Sequence, residues 1–224
     1  MNTFSISEVY ASAWTHTRKH LKFLVKVSLI FLIIAVVLGM VPERLSLIHT
    51  IAQLVYTVVS ICFSIGMIRI ALAITNGQTP TTDEFKKISF RTFLRVLWGG
   101  IITMFFTLIG IILLVIPGII IALRSLLTSY IIVDKEISGW SAVKESWRMT
   151  RGHSWSILGV VLLGVAVVIL SMIPLGLGLI ISVPYLIMVY IVMYERIRAL
   201  APASVSTQTV EPPLVVSPEA SEQK

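Results

Sequence analysis

Apolar residues in this chain gather into runs of membrane-spanning length, and between the runs lie segments in which Lys, Arg, Trp and His recur. The pattern predicts six helices, at about 23–41, 51–74, 96–116, 118–133, 155–173 and 176–194. At a rise of about 1.5 Å per residue, most of them approach the roughly 20 residues that cross a hydrocarbon core of about 30 Å. The fourth is short: it follows Pro117-Gly118 directly and soon meets Asp134 and Lys135. The third and fourth elements therefore have an alternative, a tight hairpin that only partly crosses. Either way the fold class is all-α, a polytopic membrane protein, and no Asp or Glu falls inside the six predicted spans.

The connections alternate in character. Those after the first, third and fifth spans are short and hold Pro42, Pro117-Gly118, and Pro174 with Gly176 and Gly178. Those before the same spans hold Arg18, Lys19 and Lys22, then Lys86, Lys87, Arg91 and Arg95, then Lys135, Lys144, Arg148 and Arg151. Only Arg44, of 18 Lys and Arg residues, falls in a connection on the opposite side. Short basic loops stay cytoplasmic, so both termini are expected inside a bacterial inner membrane, with Arg196 and Arg198 closing the sixth span. The segment before the first span carries Glu8, His16, Arg18, Lys19, His20 and Lys22, and no small-x-small site follows, so the first span is expected to remain in the mature protein.

Two of the basic segments are amphipathic. Ile6, Val9, Tyr10, Ala13, Trp14 and Thr17 share one face at helical spacing, with Glu8, Arg18, Lys19 and Lys22 elsewhere on the helix. From Ser138 to Gly152, Trp140, Val143 and Trp147 share a face, flanked by Lys144, Glu145, Arg148 and Arg151. Indole rings favour the headgroup level and long cations snorkel to phosphates, so Trp14, Arg18, Lys19, Lys22, Trp140, Lys144, Trp147, Arg148 and Arg151 are expected to touch lipid, with anionic headgroups as partners. In a shorter middle segment after the polar loop Gly77–Thr82, Phe85 and Ile88 are expected to face lipid as well.

A unit thus occurs three times: basic amphipathic segment, span, turn with Pro or Gly, return span. Ala13-Trp14, Arg18 and His20 reappear at an offset of 133 as Ser146-Trp147, Arg151 and His153. Each unit holds two spans, so the copies point the same way and form a parallel repeat. The alternative is that any six-span chain with short outer loops imitates this periodicity.

Composition agrees with the membrane as solvent: 56% of residues are apolar and mean hydropathy is +0.94, beyond what a soluble core requires. The net charge of +7 lies beside apolar runs, which favours anionic lipid over nucleic acid. Residues 1–198 read as an integral membrane domain. Beyond them, 199–224 is rich in Pro and Ser without aromatics and reads as a disordered cytoplasmic tail.

Arg124 lies well inside the fourth span, ten residues before Asp134, deeper than snorkelling easily accommodates. It is either a contact for an anion or lipid headgroup or a structural arginine in a displaced helix. Arg69, near the inner end of a long second span, where snorkelling alone explains it, is a weaker candidate for the same role. The spans hold no carboxylate or histidine for a proton relay. His16 and His20 with Glu8 make a poor metal site, and no G-x-S-x-G, H-E-x-x-H or P-loop pattern occurs. Cys62 stands alone within an apolar run. No catalytic residue, metal or cofactor is therefore expected. Small residues at four-residue spacing, Ala35 and Gly39, Ser60 and Ser64, Ser125 and Ser129, suit close helix approach in a compact bundle, a homo-oligomer or a complex with another membrane protein.

At Ile116-Pro117-Gly118-Ile119, Tyr130 through Asp134, and Ala142-Val143-x-x-Ser146-Trp147-x-x-Thr150-x-Gly152, the chain resembles a broad group of poorly characterised bacterial inner-membrane proteins. The group includes the YciC-like family and the membrane region preceding the catalytic domain in some glycerophosphodiester phosphodiesterases. The resemblance implies a multi-pass module without a catalytic centre of its own; this chain has a short tail where the hydrolase would stand. The expected function is of structural or interaction type, and the alternative is a carrier of a lipid or small anionic molecule.

Overall fold

A computed structural model describes residues 5–42, 44, 46–173 and 178–200. They form ten α-helices and no strand: α1 (Ile6–Lys19), α2 (Leu21–Gly39), α3 (Ser46–Thr75), α4 (Asp83–Lys86), α5 (Phe90–Leu113), α6 (Val115–Ser125), α7 (Thr128–Lys135), α8 (Gly139–Thr150), α9 (Ser154–Met172) and α10 (Leu179–Leu200). Six stretches are long and apolar enough to cross a membrane, namely α2, α3, α5, Ile116–Lys135, α9 and α10. The expected tail from 201 onward, and Pro174 and Gly176, lie outside the described residues, whereas 199 and 200 continue α10.

The expected boundaries shift in three places. Helix α5 begins at Phe90, so Arg91 and Arg95 belong to its first turns. Helix α10 runs on through Glu195, Arg196 and Arg198, and the fourth span reaches Asp134, so two carboxylates do enter the helices at their basic ends. The fourth span is also not one helix. Helix α6 stops at Ser125, Leu126 and Leu127 form a turn, and α7 resumes at Thr128.

The repeat is explicit in the backbone. Helices α2 and α9 both have 19 residues, and their first residues (21 and 154) and last residues (39 and 172) each differ by 133. Helices α1 and α8 begin 133 apart, as do α3 and α10. The joints match as well: His20 N–H donates to the Thr17 carbonyl at 3.1 Å and His153 N–H to the Thr150 carbonyl at 3.1 Å. Thr17 and Thr150, both fully buried, bond back to the carbonyls of Ala13 and Ser146 at 2.8 and 2.7 Å. Each hydroxyl satisfies itself locally, so it can be buried at a helix crossing without an external partner.

How the units assemble departs from the expected picture of amphipathic helices lying on lipid. Each amphipathic segment docks on the return span of the preceding unit: α4 on α3, α8 on the α6–α7 pair, and α1 on α10. The Phe85 ring fills the space beside Gly66 and stacks at 6.5 Å from Phe63, so Phe85 packs on protein, as does Ile88. On α1, Val9 and Ala13 are fully buried, and Tyr10 Oη donates to the Val160 carbonyl at 2.8 Å. Tyr185 Oη donates to the Tyr10 carbonyl at 3.2 Å, and Trp14 sets its edge on Tyr185 at 5.6 Å. The three units thereby close into a ring, with α1 completing it against the last span.

Within the ring the return spans are central and the outgoing spans peripheral. Buried residues make up 39%, 50% and 56% of the apolar windows of the three return spans but 17% of each outgoing one. The core gathers at the basic end, from Ile65 to Ile74 on α3, Leu127 to Val133 around α7, and Met188 to Ile197 on α10. Toward the opposite end large apolar side chains stand exposed, as lipid contact requires; Val37, Met104 and Ile169 are examples. Gly39, expected to bring helices close, does not, since a Cβ there would touch nothing. The close approaches are elsewhere. Helices α5 and α6 join through Leu114 alone, and a Cβ on Gly110 would lie 2.8 Å from Gly118 Cα. Gly139, the first residue of α8, would bring a Cβ within 2.7 Å of the Gly99 amide nitrogen.

Candidate functional site

Three features of the ring carry chemistry: the break between α6 and α7, a cleft beside it, and the charged basic end. At the break, backbone groups lose their helical partners within a span, and non-helical backbone at membrane depth is tolerated only where protein satisfies it. Ser146 Oγ donates to the Arg124 carbonyl, and Trp147 Nε1 donates to Ser125 Oγ at 2.8 Å. The Ser146-Trp147 pair of α8 therefore braces the break. Trp147 is only half-buried, but its indole N–H is taken by protein and not by a headgroup. Trp140 is 45% exposed, stacks on Phe106 at 6.0 Å and has Lys144 Nζ 5.1 Å from its ring centroid.

Arg124 stands in the last turn of α6, where the negative end of the helix dipole favours a cation. Its Nε is buried without an acceptor, and its guanidinium forms no ion pair among the described residues. Beside it, α5 and the break enclose a cleft of about 360 Å³. Thr103, Thr107, Ser125, Thr128 and Ser129 contribute hydroxyls and Gly99 and Gly100 bare backbone. Arg124, half-buried, is not among the lining residues, so the structure separates this cation from the neighbouring polar space. Sequence reasoning noted Ser125 and Ser129 but missed Thr103, Thr107 and Thr128, because isolated threonines in an apolar helix give no pattern.

At the basic end Arg69 does not simply snorkel. It pairs with Glu136 at 3.1 Å, its side chain 15% exposed. Glu136 closes α7 in the left-handed region at φ 51°, held there by Arg69 on its carboxylate and by Arg95, which donates to its carbonyl. Asp134 accepts from Tyr194 Oη at 2.7 Å and from Arg198 at 2.9 Å, Glu145 pairs with Lys135, and Glu8 with Arg196 at 2.6 Å. Asp83 and Glu84 pair with Lys86 and Lys87, each three residues further on, and the Lys86 ammonium, bonded to Asp83, holds that carboxyl below its usual range. Every described carboxylate except Glu195 is thus in an ion pair. The cations of the two matching helix joints are not: Arg18, Lys19 and Lys22, and Arg148 and Arg151, are exposed and form no ion pair among the described residues.

Six apolar spans, helical among the described residues and with the described ion pairs gathered at one end, define a multi-pass membrane protein. Residues 47–201 match the family model described as a protein of unknown function, DUF975, and the chain belongs to that family. No curated protein and no solved structure matches the chain.

Proposed function

We propose that the protein is a non-catalytic, structural or interaction module of a bacterial inner membrane, its basic end and both termini cytoplasmic, that holds anionic lipid through the cations of the α1–α2 and α8–α9 joints. The observation that carries this reading is the division of charge: the described carboxylates other than Glu195 are in ion pairs, while Arg18, Lys19, Lys22, Arg148 and Arg151 are left exposed around two matching joints of the repeat, where Arg18 and Arg151 are equivalent. Such cations attract anionic headgroups by about 1 kcal/mol each. The likeness to YciC-like membrane proteins through Ser146-Trp147 and its neighbours supports the same reading. In nanodiscs containing phosphatidylglycerol, replacing those five cations with glutamine is expected to lower the phosphatidylglycerol retained in native mass spectra by more than half and to remove its salt dependence. Retention equal to the parent would reject the assignment.

One observation favours a second reading, a carrier of a small anion or anionic lipid: the unpaired Arg124 guanidinium beside a break in a spanning helix. Under it, Arg124→Leu abolishes transport of anionic lipid in reconstituted vesicles while insertion is unchanged. Unaltered transport would remove Arg124 from any pathway.

A further inference from the structure

Several hydroxyls on the spanning helices satisfy themselves. Thr50, Thr57, Ser60 and Ser171 each donate to the carbonyl four residues earlier, at 2.7 to 2.9 Å. Ser28, Thr103, Thr107, Thr128 and Ser182 do not: their hydroxyl oxygens are buried without a partner, and of these Thr103, Thr107 and Thr128 line one cleft between α5 and the α6–α7 break, Thr128 being 3% exposed. An unpaired hydroxyl is costly in a hydrocarbon medium that offers no water to replace the missing partner. Three together around one cleft point to a ligand that brings its own hydrogen-bonding groups.

We propose that this cleft binds an uncharged glycerolipid of the diacylglycerol class, its free hydroxyl and ester carbonyls meeting Thr103, Thr107 and Thr128. The charge of the ligand follows from the lining, which contains no ionisable side chain, so an anionic or cationic group there would be buried unmatched. Depth narrows the class further. Along α5 the cations Arg91 and Arg95 precede the cleft, and Thr103 lies about 12 Å of helix beyond Arg95 and about 18 Å beyond Arg91. A phospholipid whose phosphate rests at the level of those cations does not lower its ester groups so far. A glycerolipid without a phosphate has no such anchor and can sink. Met104 and Leu108, 71% and 52% exposed on the lipid side of the cleft, supply the apolar rim along which acyl chains would lie. The site goes beyond headgroup contact at the basic end, since it uses neither its cations nor its surface.

The test is photolabelling of the full-length protein in nanodiscs of phosphatidylethanolamine and phosphatidylglycerol. One arm carries a trace of diacylglycerol with an acyl-chain diazirine, and a parallel arm carries phosphatidylglycerol with the same group. Diacylglycerol is expected to label peptides covering residues 99–111 and 125–129. Thr103→Val combined with Thr107→Val and Thr128→Val should reduce that labelling about tenfold, while Thr50→Val with Thr57→Val, which removes self-bonded hydroxyls on α3, leaves it unchanged. Valine keeps the shape of threonine; should the triple variant fail to fold, the single substitutions Thr103→Val and Thr128→Val, each expected to give a partial loss, decide the matter. Labelling that survives the valine substitutions, stronger labelling by phosphatidylglycerol, or no labelling of the cleft by either probe would overturn the proposal.

Discussion

Gly118→Leu is expected to prise open the α5–α6 hairpin and destabilise the protein by about 3 kcal/mol, the upper part of the range for overpacking a tight contact. A Cβ at Gly118 would lie 2.6 Å from the Ile111 amide nitrogen and 2.9 Å from its Cα. These are backbone atoms of a helix and cannot swing aside as a side-chain tip does. The two helices are joined by Leu114 alone, so no slack in the connection absorbs the displacement. Gly100→Leu is the matched control, since a Cβ there meets nothing within 4 Å. Equilibrium unfolding in bicelles should separate the two; equal stability would mean that the hairpin is not closed glycine on glycine.

Asp134→Ala is expected to cost about 2 kcal/mol. The carboxylate is the shared acceptor for Tyr194, fully buried on α10, and for Arg198, half-exposed one turn further on. Removing one partner of a buried charged pair costs about 3–5 kcal/mol, a figure lowered here because Arg198 can turn to water. The orphaned Tyr194 hydroxyl accounts for most of the rest. Adding Tyr194→Phe to the Asp134→Ala background should therefore destabilise little further, although Tyr194→Phe alone costs about 1 kcal/mol. Full additivity of the two substitutions in the same unfolding measurement would show that α7 and α10 are not coupled through this bond.

Much of the architecture is legible along the chain because a bilayer leaves few options: runs of apolar residues long enough to span, with cations gathered between them, mark the six spans directly. The offset linking Trp14 with Trp147 and His20 with His153 likewise marks a unit that the backbone repeats. The docking of the amphipathic segments is another matter. Val9, Ala13 and Thr17 form the same stripe whether lipid or α10 covers it, so periodicity predicts a buried face without naming its cover. The break at Leu126-Leu127 is silent for a related reason, having neither Pro nor Gly to mark it; what holds it is Ser146 and Trp147, some twenty residues away. The Arg69–Glu136 pair is equally remote in sequence, which is why Arg69 alone reads as a snorkelling cation.

The seat of α1 also dictates the order of assembly. During synthesis α1 has to wait, its Tyr10 and Trp14 without their eventual neighbours, until Val160 and Tyr185 have been made and inserted. Translation arrested ahead of α9 would leave that helix adrift, an early-made handle by which a quality-control protease or chaperone can tell a half-finished protein from a closed one.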